Sequence, residues 1–431
     1  MNSVLKPMQG TPAMHVRHPM WVLVAVCAMA LMSTIGVSMP YPILAPIFVG
    51  GPVDDFTHFA GLDPKFLMGL ALAANPLGIL LGSLFIGPMS DRYGRRHVLG
   101  LTLSATLLGH ALTAYALSER DYVLFTFARL VTGLTESNVA VARALLADMH
   151  EQIDRTRAFA WLNACLYMGW LLGPLVGGLS LPLGEPVPFM LAGAAMLPCL
   201  LVLMLWVPGG LVPDAAEPSQ KTSFMSELRE QQVLGLLRRD PLLATLFGLQ
   251  LFYCLGVNAL YEFAPLWMFE NLGFGSVGIA WVTAAQCAAM TTVSVLAGKM
   301  RQSRRPLRRA GLLALCAALG LSALAVLPGR LGLAAIIGLG LPLALYNAVL
   351  PAWMSERFAA YGQGRVMGLL STIFCLANVA MALLGGLISM LSTRWIMGLG
   401  GLTSVIAALA LLRLAEQVKN EVREPMNGVK P

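Results

Sequence analysis

Long apolar runs alternate with short polar linkers along most of this chain. Each run has about twenty residues or more, and an α-helix of that length crosses the hydrocarbon core of a bilayer. A helix also satisfies its own backbone hydrogen bonds in lipid, which an irregular segment does not. The pattern predicts an all-α membrane protein with twelve transmembrane helices, near 20–48, 67–87, 98–117, 122–147, 158–181, 187–207, 242–269, 275–298, 310–328, 332–354, 367–389 and 394–415.

One linker is longer and more polar than the others and divides the runs into six and six. It predicts an N-terminal six-helix bundle over 1–207, a linker over 208–241 and a C-terminal six-helix bundle over 242–431. Apolar residues recur at roughly helical intervals among charges at 223–240. This stretch predicts an amphipathic helix at the cytoplasmic surface, with a disordered linker as the alternative.

The two halves resemble each other in sequence. RAFAWLNACLYMGWLLGPLVGGL at 157–179 aligns with RVMGLLSTIFCLANVAMALLGGL at 365–387, and both segments begin with an arginine. Glycine and leucine coincide easily in membrane helices, but the matched arginines favour a true repeat. Related halves are typical of transporters whose substrate site lies between them, near the middle of the membrane.

Composition and charge support the same class. Hydrophobic residues make up 57% of the chain and charged residues only 12%, whereas soluble domains carry roughly 25% charged residues. If the amino terminus is cytoplasmic, most of the 29 lysine and arginine residues lie in the termini and loops on that side, as the positive-inside rule expects. Topology therefore accounts for the net charge of +7, and we expect a lipid bilayer as partner and no nucleic acid.

The sequence carries no sign of a cofactor. All seven cysteines lie in apolar runs without a CxxC pair, so neither a disulfide framework nor a zinc site is indicated. Neither HExxH nor GxxxxGK occurs, and no nucleophile and base pair up at a plausible depth. We expect no metal, no cofactor and no enzyme activity, and an ion gradient as the source of energy.

The loop between the second and third runs reads GPMSDRYGRR. It resembles the signature loop of the major facilitator superfamily, and twelve runs with a central linker fit that family. The resemblance implies the major facilitator fold, two pseudo-symmetric six-helix bundles, and a loop that latches one access state. Simple anchoring of the topology by the arginines is the alternative. Gating is assigned to Gly87, Asp91, Arg92, Gly94, Arg95, Arg96 and Asp148, the last as an expected partner of Arg92 or Arg95.

The fourth run carries three charged residues at steps of seven. In a continuous helix Arg129, Glu136 and Arg143 share one face, and charges inside a membrane usually face a cavity or one another. Arg129 with Gly133 also resembles the family's RxxxG element. Glu136, about midway, is the first candidate for proton coupling, with a permanent bridge to arginine as the alternative, and both arginines are assigned to the cavity.

The fifth run contains GWLLGPLVGG. This stretch is similar to the GxxxGPxxGG pattern associated, within the superfamily, with antiporters that export drugs. Small residues also let helices pack closely, and a proline bends a helix. Tight helix packing is therefore expected at Gly169, Gly173, Pro174, Gly177 and Gly178.

Polar residues also interrupt the seventh run. Glu262 is a second candidate for proton coupling or for a cationic substrate group, with a water-exposed interfacial residue as the alternative. His110, in the third run, is expected only to pack, and the first run has no acid where many drug antiporters place one. The remaining cavity candidates, which hydrogen bonds between helices would also explain, are Asn75, Tyr253, Asn258, Tyr261 and Asn347.

These observations predict a secondary active transporter in the cytoplasmic (inner) membrane, with both termini in the cytoplasm. The expected activity is proton-coupled export of an amphipathic small organic molecule, either a drug or an endogenous metabolite such as a siderophore, by a monomer. Proton-coupled uptake is one alternative. A membrane receptor or scaffold that transports nothing is another.

Overall fold

The computed structural model describes residues 18–149, 152–207, 240–298, 305–358 and 363–427, together with Leu237 and Tyr361. Short turns and two short 3-10 helices, Phe59–Gly61 and Leu181–Leu183, connect the α-helices, and none of these residues forms a strand. The α-helices are α1 (Pro19–Ser38), α2 (Tyr41–Phe48), α3 (Pro64–Tyr93), α4 (Arg95–Ser118), α5 (Tyr122–Glu136), α6 (Val139–Asp148), α7 (Arg155–Ser180), α8 (Val187–Trp206), α9 (Pro241–Leu272), α10 (Ser276–Gly298), α11 (Pro306–Val326), α12 (Gly329–Arg357), α13 (Gln363–Ser389) and α14 (Thr393–Asn427).

Eleven segments of the described chain are long and apolar enough to cross a membrane, with α1 and α2 counted together as Pro19–Phe48. The fourth predicted run is divided between α5, with 15 residues, and α6, with 10. These two helices in series take the place of the remaining span. The predicted all-α membrane fold is therefore confirmed, and most of the predicted linker, 208–236 with 238–239, lies outside the described residues.

Local chemistry explains the two interrupted spans. Pro40 and Pro42 lie at the junction of α1 and α2, and proline disrupts the hydrogen bonding of a helix interior. Between α5 and α6, Ser137 Oγ donates to the carbonyl of Ile79 at 2.7 Å. Asn138 Nδ2 donates to Ser33 Oγ of α1 at 3.1 Å. Both side chains at this second break are thus bonded to neighbouring helices.

Aspartates begin four of the helices. In each case the carboxylate accepts hydrogen bonds of 2.8–3.1 Å from backbone N–H groups of the first turn. Such a cap contributes about 1 kcal/mol to a helix. The capped helices are α3, α5, α7 and α9, which follow Asp63, Asp121, Asp154 and Asp240.

Helices α1–α8 form the first half of the molecule and α9–α14 the second. The halves approach closely along two helix pairs. A Cβ on Gly69 of α3 would lie 2.8 Å from the Cα of Gly386 on α13. On the other side, Ser276 Oγ of α10 donates to the carbonyl of Gly178 on α7 at 3.0 Å. Glycine at these positions lets the backbones of the two halves meet.

An ionic network joins the halves at one end of the bundle, which we call the Lys65 end. Lys65 Nζ of the first half lies 2.5 Å from Glu270 Oε1 of the second and donates to the carbonyl of Ser389 at 3.2 Å. Thr393 Oγ1 donates to the other oxygen of Glu270 at 2.5 Å. The opposite end, where α3 turns into α4 at Arg95, is called the Arg95 end.

The faces that meet at the Lys65 end are uncovered towards the Arg95 end. On α7, the backbone carbonyls of Gly178 and Trp170 contact the second half, and that of Trp170 accepts a hydrogen bond from Cys287 Sγ at 3.7 Å. Tyr167, further along this face, is 62% exposed. Ser294 of α10, seven residues beyond Cys287 and so on the same face, is also exposed. Helices α7 and α10 thus touch towards the Lys65 end and expose the same faces towards the Arg95 end, which leaves an opening between them.

Candidate functional site

Four aromatic rings meet where the two halves join, at the base of the opening. Tyr41 and Trp170 come from the first half, and Tyr261 and Phe374 come from the second. The Trp170 ring centre lies 5.9 Å from that of Tyr41, 6.1 Å from that of Tyr261 and 6.5 Å from that of Phe374. We call these four residues the aromatic cluster. It brings the predicted cavity residue Tyr261 to the junction between the halves.

Glu262 lies on α9 beside the aromatic cluster. Its side chain is buried, at 2% exposure, and neither carboxyl oxygen has a hydrogen-bond partner among the described residues. The Tyr41 hydroxyl, from the opposite half, is within electrostatic range of this carboxyl. A buried carboxylate without a cation or donors is costly, so this conformation favours the neutral acid.

Side-chain amides extend the site into the second half. Asn378 Nδ2 of α13 donates to the Tyr41 hydroxyl at 3.1 Å and lies 3.3 Å from Asn258 Oδ1. Asn258 Nδ2 in turn donates to the carbonyl of Phe374 at 3.5 Å. Asn258 is fully buried. The predicted cavity residue Asn258 is thus connected through Asn378 to the junction of the halves.

Arg129 of α5 lies buried on the first-half side of Tyr41. Its guanidinium is within electrostatic range of both Glu136 and the Tyr41 hydroxyl, and it lies 5.8 Å from the centre of the Phe189 ring. Together with Asn75 and Tyr41 it lines a small cavity between α1, α2, α3 and α5. Arg129 therefore interacts with Glu136 and with Tyr41, whose hydroxyl is in turn within electrostatic range of Glu262.

Glu136 is the last residue of α5, at the break in the fourth span. Asn75 Nδ2 of α3 donates to its Oε2 at 2.8 Å. Its Oε1 lies 3.4 Å from His110 Nε2 of α4, and both side chains are completely buried. Asn75, predicted to line the cavity, thus fixes the carboxylate.

His110 has a charged neighbour that the sequence did not reveal. An apolar run surrounds it, and Glu136 belongs to a different helix, so no local spacing connects the two residues. Histidine inside a membrane span is itself rare and usually faces the bundle interior. That rarity was the available signal. The sequence offered even less indication that Tyr41 and Trp170 belong to a site, because Tyr41 lies in a proline-rich junction and Trp170 in a glycine-rich helix.

The break between α5 and α6 changes the predicted charged face. Arg129 and Glu136 lie on one continuous helix, but Arg143 belongs to α6. Arg143 is half-buried, and its guanidinium is within electrostatic range of the Tyr167 hydroxyl on α7. The expectation that the three side chains share one face of a single helix is therefore wrong, because that helix ends before Arg143.

Two other cavity candidates lie apart from the aromatic cluster. Tyr253 is buried inside the second half, where its ring stacks on Tyr346 with centres 3.8 Å apart. The Tyr346 hydroxyl donates to Gln250 Oε1 at 2.6 Å. Asn347 of α12 is exposed.

The loop at 87–96 folds onto itself through charge. Arg95 forms an ion pair with Asp91, one helical turn earlier, and donates to Ser90 Oγ at 2.7 Å. Gly94 connects α3 to α4 with φ +88°, a conformation that favours glycine. The motif therefore supplies a tight turn and the ion pair that spans it.

The other residues of the loop contact neighbours or lie open. Arg96 Nη2 donates to the carbonyl of Met204 at 2.8 Å, near the end of α8, where a cation complements the helix dipole. The Arg92 guanidinium lies 5.5 Å from the centre of the Tyr93 ring. No atom of the described residues would lie within 4 Å of a Cβ on Gly87. The Asp148 side chain lies outside the described residues, so its pairing with Arg92 or Arg95 stays a prediction.

Glycines of α7 bring it against α1. A Cβ on Gly169 would lie 2.5 Å from the Cβ of Thr34, and Gly173 and Gly177 meet Ser38 and Met39 in the same way. Ser38 Oγ donates to the carbonyl of Gly169 at 3.1 Å. Pro174 lies inside the helix. Together with Gly178 at the second half, the series packs α7 on two sides.

A second ionic network lies outside the spans at the Lys65 end, within the first half. Arg120 Nε donates to Asp54 Oδ2 at 2.7 Å, and its Nη1 pairs with Glu185. Burial alone would raise the pKa of Asp54, but hydrogen bonds from Arg120 and Thr57 outweigh it, and the pKa is below its usual value. Burial would likewise lower the pKa of Arg120, yet the two carboxylates raise it.

Metal ligands are not assembled in the described part of the chain. No group of three histidine, cysteine or acidic side chains there is placed to hold a metal ion. The seven cysteines are free. The chemistry available at the junction of the halves is therefore that of carboxyl, guanidinium, imidazole and aromatic groups.

Comparisons with known proteins agree with this architecture. The family model described as Major Facilitator Superfamily matches residues 21–344 and 246–430. The chain is 31% identical to the class B tetracycline resistance protein of Escherichia coli over 179 residues, which are 41% of each chain. Alignments with the class B, C and E proteins span 41%, 40% and 40% of those proteins' own length.

Two other matches cover most of the chain. Multidrug resistance protein 2 of Bacillus subtilis (strain 168) is 24% identical over 365 residues, 82% of this chain and 87% of that protein. Among solved structures, a D-xylose-proton symporter superimposes with a TM-score of 0.71 at 18% identity, covering 92% of this chain and 97% of the other. At that identity the match speaks for the fold alone.

Proposed function

The chain belongs to the major facilitator superfamily, and the proteins similar to it include a tetracycline resistance protein and a nucleoside transporter. We therefore propose that it exports an amphipathic small organic molecule in exchange for protons. The basic loops predict that the Arg95 end faces the cytoplasm of a bacterial inner membrane. The opening towards that end is then the path by which substrate enters from inside the cell. One chain supplies both halves of the site, so it works as a monomer.

Glu262 carries the proposal. Its carboxyl is buried at the junction of the halves, and no described residue supplies it with a cation or a hydrogen-bond donor. Such a group is stable when it holds a proton or when it pairs with a cationic group of a substrate. The two occupants exclude each other, and exclusion at one group is what exchange requires. Proton binding from outside then releases substrate, and substrate binding from inside releases the proton.

Glu136 is the second proton-coupling candidate, in the other half. Arg129 lies within electrostatic range of Glu136 and of Tyr41, which faces Glu262. A change of charge at Glu136 alters the field at Arg129, and the Tyr41 hydroxyl lies within range of both Arg129 and Glu262. This arrangement gives the two halves an electrostatic connection during alternating access.

The substrate class follows from the groups around Glu262. Aromatic faces favour flat apolar rings and attract cations, and the carboxyl favours a basic group. An amphipathic compound with an aromatic body and a basic nitrogen fits both. Relatives named for tetracycline and multidrug resistance support a drug. A self-made metabolite such as a siderophore is the other source.

Uptake by proton symport is the second candidate, because a D-xylose-proton symporter has the same fold. In that case proton and substrate move together into the cell. A receptor or scaffold without transport activity is the third, and it predicts no coupled flux.

Everted membrane vesicles with an acidified lumen separate these candidates. Tetracycline and ethidium serve as probes, one neutral to zwitterionic and one a permanent cation. An exporter accumulates a probe in the lumen, and addition of that probe discharges the pH gradient. A symporter instead drives preloaded probe out together with protons. A receptor or scaffold leaves both probe and gradient unchanged.

Two variants locate the coupling group. Glu262→Gln keeps the size of the side chain but binds no proton, so we expect loss of probe-driven discharge. Glu119→Gln, an exposed acid between α4 and α5, is the matched control and retains it. Full discharge in Glu262→Gln vesicles would remove Glu262 from the mechanism.

A further inference from the structure

A buried histidine and a buried glutamate lie side by side inside the first half. His110 Nε2 is 3.4 Å from Glu136 Oε1, and both side chains are completely buried. Neither imidazole nitrogen has a hydrogen-bond partner among the described residues, and Oε1 has none either. The distance is just beyond a normal hydrogen bond, so a small displacement joins or separates the two groups.

Glycines from three helices create this proximity. A Cβ on Gly36 of α1 would lie 2.7 Å from His110 Nε2 and 2.8 Å from Glu136 Oε1. A Cβ on Gly109 of α4 would lie 2.6 Å from Thr132 Oγ1 of α5. Gly133 lies against the backbone of Asn75 on α3. Side chains at these positions would push the helices apart, so the pair has a site built around it.

Among the described residues, the groups that face the pair are few and mostly neutral. From α1 there is Gly36 and from α3 the Asn75 amide, which donates to Glu136 Oε2. From α8 the Phe189 ring lies 6.4 Å from the imidazole. From α5, besides Glu136 itself, the charged group within reach is Arg129, which interacts electrostatically with Glu136. The imidazole and the carboxyl are thus the proton-accepting groups at this place.

We propose that His110 and Glu136 form one proton site, in which a single transported proton is shared between the imidazole nitrogen and the carboxylate. This inference rests on the proposed proton-coupled transport and adds a second residue to it. In the loaded form an imidazolium faces a carboxylate, or a neutral imidazole faces a carboxylic acid. In the unloaded form a neutral imidazole faces a carboxylate, and Arg129 compensates the charge.

The proton is exchanged with water and no other bond changes. Its path follows the groups already connected to Glu136. Asn75 donates a hydrogen bond to the carboxylate, and Arg129 interacts with it electrostatically. Both residues also line the small cavity beside Tyr41. The shared site is thereby adjacent to the junction of the halves, where substrate binds. His110 is a positioning and proton-holding residue that acts together with Glu136.

Infrared difference spectroscopy tests the pair without a substrate. The full chain in liposomes is titrated with pH, and the protonated-carboxyl stretch and the imidazole ring bands are followed. The variants are His110→Gln, His110→Asn, Glu136→Gln and, as the matched control on the same helix, His97→Gln, since His97 is exposed. Size-exclusion profiles and thermal stability show which variants are folded.

We expect one carboxyl band that disappears in Glu136→Gln and titrates with the same midpoint as the imidazole component that disappears in His110→Gln. In His110→Gln the imidazole component that belongs to His110 disappears, while those of the other five histidines remain, and the carboxyl midpoint moves by about one pH unit or more, a tenfold change in proton affinity. His97→Gln leaves the carboxyl midpoint unchanged. His110→Asn gives the same result if His110→Gln does not fold.

An unchanged carboxyl midpoint in both folded His110 variants would overturn the proposal, and so would the persistence of every titrating carboxyl band in Glu136→Gln. The vesicle assay separates this failure from that of the proposed function. Probe-driven proton flux with no role for His110 leaves export standing and removes the shared site. A coupled titration without flux leaves the site standing and removes proton-coupled export.

Discussion

Replacing Lys65 by alanine is predicted to loosen the closed end of the molecule. Lys65 and Glu270 form the ion pair that joins the halves there, with 22% and 25% of their side chains exposed. The same ammonium group also donates to the carbonyl of Ser389. These contacts exist only while the two halves touch, so their loss destabilises the closed state and not the open one.

The magnitude follows from the exposure of the pair. Fully exposed ion pairs contribute about 0.2–1 kcal/mol, and breaking a fully buried pair costs about 3–5 kcal/mol. A pair that is three-quarters buried and still hydrated, with one added hydrogen bond, is worth about 1–2 kcal/mol between these limits. That free energy corresponds to a change of about 5- to 30-fold in the ratio of closed to open molecules.

Thiol labelling at the Lys65 end measures this ratio. Ser389 is fully buried, and its hydroxyl bonds within its own helix, so Ser389→Cys is a mild reporter that reacts when the end opens. With a membrane-impermeant maleimide, Lys65→Ala should raise the labelling rate of this cysteine about 5- to 30-fold. The chain without the added cysteine gives the background from the native thiols.

Two controls make the result specific. The exchange Lys65→Glu with Glu270→Lys restores an ion pair and should return labelling towards the original rate. Arg394→Ala removes a hydrogen bond to Asn271 at the same end but within the second half, and should leave the rate unchanged. Equal labelling with and without Lys65, or an equal effect of Arg394→Ala, would refute the view that this pair holds the end closed.

Three further outcomes are expected. Gly36→Ala places a Cβ 2.7 Å from His110 Nε2, so it should cost about 1–3 kcal/mol of stability. It should also separate the titrations of His110 and Glu136 in infrared spectra, and an unchanged spectrum would contradict the packing of Gly36 against this pair. Gly94→Ala forces alanine to φ +88° and ψ +142°, close to a region that only glycine occupies readily, at a cost of about 1–3 kcal/mol. It should therefore lower the melting temperature in detergent, whereas Gly87→Ala, whose Cβ would have no described atom within 4 Å, should not. The pKa of Asp54 is depressed in the folded chain, so the contribution of this carboxylate to folding stability is full above the unfolded pKa of about 3.9 and is lost as the pH falls through the folded pKa. The difference in melting temperature between the original chain and Asp54→Asn should therefore be constant near neutral pH and shrink below about pH 4. A difference that widens on acidification would contradict the assignment.

The spans were predictable because lipid imposes a simple pattern on the chain. Apolar length alone placed the starts of α3, α5, α7 and α9 within a few residues of where the structure has them. The interruptions were not predictable. The first span is interrupted at the proline junction after Ser38, and the fourth is interrupted where Ser137 and Asn138 form hydrogen bonds to other helices. The length of an apolar run indicates neither.

The candidate site was predictable residue by residue but not as an assembly. Glu136 and Glu262 stood out because charge is rare in apolar runs. Their partners did not, since Asn75, His110 and Tyr41 reach them from other helices, and only packing decides which helices meet. Glycines at 36, 109 and 133 bring these groups together, and a glycine in a membrane span does not reveal which neighbour it admits.

The central claim is that proton and substrate exclude each other at Glu262, and proton release on ligand binding measures this most directly. Purified protein in weakly buffered detergent solution is mixed with whichever probe the vesicles transport, and the pH change is recorded. The account predicts release of protons by the original chain and by Glu119→Gln, and none by Glu262→Gln. Probe binding without proton release by the original chain, or undiminished release by Glu262→Gln, would contradict it.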